Sequence, residues 1–170
     1  MRTTTAIEVA APAELVFRLA REPLRWPMLL AHYERAREIS RDGHSVVCEF
    51  VARRPFVPLL GIGIPVAWRS RTWAEPDRLR LRFRHLAGAT RGMDVTWRFE
   101  PIDGGCRVTI EHDFRPRVRP WAAIVDRAFT KPIASRTLRG FKAIAEALTP
   151  GLTPVLTPGT APDSHPEHRS

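Results

Sequence analysis

Cysteine is scarce in this chain: Cys48 and Cys106 are its only two, set far apart and outside any CxxC or Cys/His ligand spacing. A disulfide framework is thereby excluded and no zinc motif is offered, so both are expected as buried, reduced thiols. Lysine is nearly missing as well, because of 27 basic side chains only Lys131 and Lys142 are lysines. No apolar run approaches the length of a bilayer span, and Met1-Arg2-Thr3-Thr4-Thr5 lacks the apolar centre of a secretory signal. A cytoplasmic protein without membrane insertion is expected. Absent too are GxSxG, HExxH and a phosphate-binding glycine loop, and Gly61-Ile62-Gly63 does not continue into GxGxxG. Neither a nucleotide cofactor nor a metal is expected.

What remains is enough for one ordinary domain. The length of 170 residues allows a core that needs no staples. The domain is expected over residues 1–148, followed by a Pro/Thr-rich tail, 149–170, whose composition reads as disordered. The formal charge is +9 and is almost entirely arginine. Two explanations stand side by side: a genome that favours arginine codons, or a basic surface that steers an acidic partner toward the protein. Nucleic acid is not the expected partner, because the aromatics fall in phase with the core and the arginines are scattered over many strands.

The organisation follows from periodicity. Thr3 to Val9 alternates as a strand, and Pro12-Ala13-Glu14 opens a helix covered by Leu15, Phe17 and Leu19. A second short helix is expected within Pro23 to Leu30, then a strand over 34–40 and a turn at Arg41-Asp42-Gly43-His44. Beyond it the period is two: Val46, Cys48, Phe50; Val66, Trp68, Ser70, Thr72; Leu79, Leu81, Phe83, His85; Met93, Val95, Trp97, Phe99; Cys106, Val108, Ile110, His112. Arg78, Arg80, Arg82 and Arg84 occupy the opposite parity, the pattern of an antiparallel sheet with one wet and one covered face. Residues 53–65 read as an unusually apolar loop. A helical stretch over 121–148, interrupted near Pro132, is expected to bury Ile133, Leu138, Phe141, Ile144, Ala145 and Leu148 together. The expected class is α+β, about seven antiparallel strands curved around a long C-terminal helix, with two short helices after the first strand.

The covered face mixes apolar residues with Trp68, Ser70, Thr72, His85, Trp97 and His112. Any one of these would be an ordinary satisfied core group. Several in phase on neighbouring strands beneath a helix suit a ligand pocket, which is mostly apolar with a few convergent polar groups.

Several segments resemble the START-like, helix-grip superfamily, and most closely its single-domain type II polyketide aromatase/cyclases. They are Ala10-Ala11-Pro12-Ala13-Glu14-Leu15-Val16-Phe17, Trp26-Pro27 with Tyr33, Arg41-Asp42-Gly43, Trp68-Arg69-Ser70, Met93-Asp94-Val95-Thr96-Trp97, Gly104-Gly105 and Asp113-Phe114. The resemblance covers about Thr3 to Leu148. It implies ring closure and dehydration of a poly-β-ketone carried on an acyl carrier protein, in an apolar pocket and without a cofactor. It implies catalytic roles for Tyr33, Ser70 and His112. The implied substrate wall is Trp26, Leu30, Trp68, Thr72, Phe83, His85, Met93, Val95, Trp97 and Ile110. Those cyclases carry an inward arginine two residues after the strand serine. This chain carries Thr72 there, while Arg69 and Arg71 fall on the other parity, so that only a bulge returns Arg71 to the cavity, or Arg84 enters near a strand end. The departure leaves a second function open, a non-catalytic carrier or chaperone of a quinone, lipid or polyketide. A monomer or a homodimer fits either function.

Overall fold

The computed structural model describes residues 1–57, 62–115, 124, 125, 127 and 130–149. The elements run β1 (Arg2–Val9), α1 (Ala13–Ala20), a 3-10 turn (Pro23–Arg25), α2 (Trp26–Leu29), β2 (Tyr33–Asp42), β3 (Ser45–Val57), β4 (Ile62–Glu75), a second 3-10 turn (Pro76–Arg78), β5 (Arg80–Ala87), β6 (Asp94–Ile102), β7 (Gly105–Asp113) and α3 (Lys131–Ala147). The seven strands form one antiparallel sheet in the order β1-β7-β6-β5-β4-β3-β2. This is the helix-grip α+β fold expected from the periodicity, with both short helices in place after β1.

Side-chain alternation decides which face is covered. On β5 Leu81 and Phe83 are buried while Arg84 is exposed, and on β7 Cys106, Val108, Ile110 and His112 are buried in turn. The same parity buries Val95, Trp97 and Phe99 on β6. Onto this face α3 lays Ala134, Thr137, Leu138, Phe141 and Ala145, and α1 adds Ala13, Val16, Phe17 and Ala20. The α1 helix starts directly after Pro12, whose ring pre-sets the entry, with Glu14 at the positive end of the helix. Strand β2, one edge of the sheet, is almost wholly exposed and carries Glu34, Arg35, Arg37, Glu38 and Arg41. Charge of this kind discourages edge-to-edge pairing.

Three expectations need correction. Residues 53–65 are not a loop: β3 continues to Val57 and β4 begins at Ile62, with Arg53 opposite Pro65 and Pro55 opposite Gly63. The two prolines and the glycine hid the strand pattern there. Residues 58–61 lie outside the described residues. Of the helical stretch expected over 121–148, residues 124 and 125 are α-helical, 127 and 130 are π-helical, and α3 follows from Lys131 with Pro132 in its first turn, so the helix changes type next to the proline; residues 121–123, 126, 128 and 129 of the stretch lie outside the described residues. Leu148 is not on the buried face. It is the C-cap of α3, beyond the last buried residue Ala145, and is 58% exposed. Strand β2 is longer at both ends than the expected 34–40. Of the expected tail only Thr149 is described, closing α3 through bonds from its N–H to Glu146 O and from its hydroxyl to Ala145 O.

Candidate active site

Between the covered face and α3 lies a cavity of ≈ 80 Å³. Its sheet-side wall among the described residues is Tyr33, Phe50, Val66, Ala67, Trp68, Phe83, His85, Met93, Val95, Trp97, Ile110 and His112, with Ala89 and Thr90 from the β5–β6 connection, and Thr130, Ile133, Ala134 and Thr137 close it from the helix side. Trp26 is its aromatic keystone. The ring lies 5.1 Å from Tyr33, 5.7 Å from Phe50, 5.8 Å from Phe83, 5.5 Å from Trp97 and 5.9 Å from Phe141, centroid to centroid. Its indole N–H is satisfied by Ala20 O at 3.0 Å, so the end of α1 fixes the ring that α2 carries.

Two polar groups interrupt this apolar wall. The first sits at the junction of α2 and β2, where the Tyr33 N–H is bound to Leu30 O and His32 O accepts the Arg53 N–H. Thr137 of α3 donates its hydroxyl to the Tyr33 hydroxyl oxygen at 3.4 Å, and His32 Nε2 lies 2.9 Å from Thr137 Oγ1. All three are buried. Burial pushes the Tyr33 phenol far above its ordinary range, so it keeps its proton and acts as a donor. Burial, helped by the positive charge of Arg136, lowers His32 to about 4 and leaves it neutral near pH 7.

The second group is a pair of histidines on β5 and β7, with β6 between the two strands: Val95 of β6 is opposite His112, and Met93 O, just before β6, accepts the His85 N–H. His85 Nδ1 lies 2.6 Å from Thr90 Oγ1, and the Trp68 ring stacks on the imidazole with centroids 6.2 Å apart. Burial and the neighbouring His112 lower His85 to about 3, so it too is neutral. The cavity therefore offers hydroxyl donors and imidazole nitrogens, that of His85 neutral, inside a mostly aromatic shell. Such groups polarise carbonyl oxygens and accept protons from carbon acids.

Of the residues singled out from the sequence, Tyr33, His112, Trp26, Trp68, Phe83, His85, Met93, Val95, Trp97 and Ile110 meet in this wall. Ser70, Leu30 and Thr72 are not in it. Ser70 is fully buried in the ladder, its hydroxyl donating to Arg84 O at 3.2 Å and Arg71 O at 3.3 Å. Leu30 packs on α3, where it faces Gly140. Thr72 donates to Val46 O at 3.1 Å and faces a separate cleft of ≈ 790 Å³, bounded by the α1–α2 connection, the β2–β3 turn and Phe83. No arginine takes the place that Thr72 leaves among the described residues. Arg69, Arg71 and Arg84 are all exposed, with Arg69 paired to Glu49 and Arg84 to Asp94.

Sequence reasoning missed His32, Phe50, Thr90 and Thr137 as site residues. Phe50 lies in the same alternation as Val46 and Cys48, and Thr137 is four residues after Ile133 and four before Phe141, so both were findable from periodicity. His32 and Thr90 sit where chain direction changes, and no period reports on them.

A family model described as polyketide cyclase/dehydrase and lipid transport matches residues 1–148. The chain belongs to that family. Among its relatives is a Streptomyces cyaneus protein assigned to the polyketide cyclases, 26% identical over 129 residues, which span 75% of this chain and 80% of that protein. Another is the granaticin polyketide synthase bifunctional cyclase/dehydratase of Streptomyces violaceoruber, 28% identical over 150 residues. The match takes in 85% of this chain and 44% of that relative, so the chain spans less than half the bifunctional protein. Among solved structures, the Zhui aromatase/cyclase of Streptomyces sp. R1128 superposes with a TM-score of 0.69 at 18% identity, over 86% of this chain and 93% of that one. At that identity the likeness is one of fold. None of the described helices is long and apolar enough to cross a membrane, and no group of three or more His, Cys, Asp or Glu among the described residues is arranged to hold a metal.

Proposed function

We propose that this family member is a cofactor-independent polyketide cyclase/dehydratase, acting on a poly-β-ketone borne by an acyl carrier protein. The observation that carries the reading is the aromatic cavity in which a permanently protonated Tyr33 hydroxyl and the His85/His112 pair share one wall system. In the reaction, the imidazole of His112 takes the proton of a methylene flanked by two carbonyls. The carbanion pair forms the new C–C bond at a distant ketone carbon, and the displaced π pair settles on that ketone's oxygen, which the Tyr33 hydroxyl holds by hydrogen bond until that oxygen takes the proton carried by His112, returning the imidazole to its neutral form. His112 then takes the adjacent C–H proton and gives it to the departing hydroxyl, which leaves as water as the C=C bond forms. Ser70 supports the wall from the ladder rather than touching substrate, since its hydroxyl is engaged by Arg84 O and Arg71 O.

The aromatic shell supplies the other half of the catalysis by holding a flexible chain in one reactive conformer. The cavity of ≈ 80 Å³ is well below the roughly 300–1,000 Å³ of occupied ligand pockets, so it widens on binding. The net charge of +9 favours encounter with an acidic carrier. Turnover with a carrier-bound poly-β-ketone tests the reading: the product profile or rate changes when the protein is added, and Tyr33→Phe reduces that effect about 100-fold. A second reading, a carrier of a hydrophobic ligand without turnover, is favoured by one observation, that no arginine or lysine is among the described residues of the wall, Thr72, which stands in place of an arginine, facing a separate cleft. Native mass spectrometry showing an unaltered ligand retained with no product formed supports the carrier.

A further inference from the structure

We propose that His32 and Thr137 are positioning residues that orient and polarise the Tyr33 hydroxyl toward the cavity, as a directional hydrogen-bond chain running from His32 Nε2–H through Thr137 to Tyr33. The inference rests on the reading of Tyr33 as the group that meets a substrate carbonyl, and it deepens that reading.

The direction follows from donor inventory. A threonine hydroxyl has a single proton, and when the Tyr33 proton is turned to the cavity that of Thr137 goes to the Tyr33 oxygen, 3.4 Å away. The contact of 2.9 Å between Thr137 Oγ1 and His32 Nε2 can then be a hydrogen bond only if His32 is the donor. His32 is neutral, so one tautomer alone satisfies the chain, the one with its proton on Nε2. With its oxygen occupied by Thr137, the Tyr33 O–H is free to turn into the cavity that both residues line. Each bond in such a series strengthens the next, which makes the terminal phenol a better donor than an isolated one. A threonine within a helix can turn its hydroxyl back onto the carbonyl four residues before. That of Thr137, in the middle of α3, reaches across to β2 instead. The anchoring is rigid at both ends: His32 and Tyr33 are pinned through their backbones to Arg53 and Leu30, and Thr137 lies one residue before the buried Leu138.

Two measurements on the full chain test this. Nitrogen-15 NMR of the imidazole rings reads the tautomer of His32 near neutral pH. The Nε2–H form is expected, and the Nδ1–H form overturns the chain, because Nε2 would then accept from Thr137. The second probe is the carbonyl stretch of acetophenone added to the protein. The stretch is expected to fall in the wild type relative to Tyr33→Phe, to lose much of that fall in Thr137→Val, and to keep it in Thr137→Ser. No Tyr33-dependent shift overturns Tyr33 as the carbonyl donor. A Tyr33-dependent shift that is unchanged in Thr137→Val overturns the chain alone. In turnover, Thr137→Val is expected to lower kcat about 10-fold with KM unchanged, and Thr137→Ser to stay within about 2-fold of the wild type. A matching loss in both variants, or a rise in KM in place of the fall in kcat, contradicts a positioning role.

Discussion

At Gly105, where β7 begins, an added Cβ would stand 2.0 Å from Val9 O and 3.0 Å from the Ala10 Cα, backbone atoms of the neighbouring strand end. Neither can retreat without breaking the β1–β7 pairing of Val9 with Cys106. Gly105→Ala is therefore expected to destabilise the protein by roughly 2–4 kcal/mol, read from urea unfolding, in contrast to the small cost of an ordinary surface change. Titration adds a second residue-scale expectation. His32 and His85 release their protons at about 4 and about 3 in the folded chain, against 6.5 in the unfolded one. Between those values the unfolded chain binds more protons, so stability falls as pH drops through 6.5 toward 4 and, for His85, on toward 3. Above that window neither group contributes a slope. Unfolding free energies at about pH 7.5 and about pH 5 should differ in the wild type and differ less in His85→Gln; an unchanged gap contradicts the burial ascribed to His85. At this scale the sequence was legible for wall residues, since parity alone put Trp68, His85, Trp97 and His112 on one face. It was not legible for Ser70 and Thr72, which share that parity. Whether an inward hydroxyl faces a cavity or satisfies a neighbouring carbonyl is decided by the next strand, as Arg84 O and Val46 O decide it here.

Among the elements, α3 holds the grip closed through Leu138, Phe141 and Ala145, with Phe141 packed edge-on against Trp26 and Trp97 at 5.9 and 6.1 Å. Phe141→Ala removes that ring from a position 1% exposed and is expected to cost about 3–5 kcal/mol, measured by denaturant unfolding. A loss below about 1 kcal/mol would mean that α3 is not seated as described. The strands were readable because period-two alternation survives wherever one face is wet, as with the arginines of β5. The long β3–β4 hairpin was not, because Pro55, Gly63 and Pro65 imitate a loop, while the strand pairing of Arg53 with Pro65 depends on a partner the local sequence does not reveal.

For the whole molecule, the charge of +9 is spread over a surface on which many arginines are already paired, among them Arg37 with Glu49, Arg98 with Glu111 and Arg107 with Glu8. Exposed pairs of this kind add little stability, and the uncompensated excess acts instead at long range. If an acidic carrier delivers the substrate, kcat/KM for the carrier-bound chain falls several-fold as ionic strength rises from about 0.05 to about 0.5 M, while binding of an uncharged ketone is unaffected. Equal salt dependence for both would remove the case for steering. The central claim is that the cavity under α3 performs chemistry through the Tyr33 hydroxyl. Its most direct test is product analysis of a carrier-bound poly-β-ketone incubated with the wild type, with Tyr33→Phe and with no protein. The account predicts a cyclised, dehydrated product that the wild type forms and Tyr33→Phe forms about 100-fold more slowly. Identical product mixtures with and without the wild-type protein would contradict it.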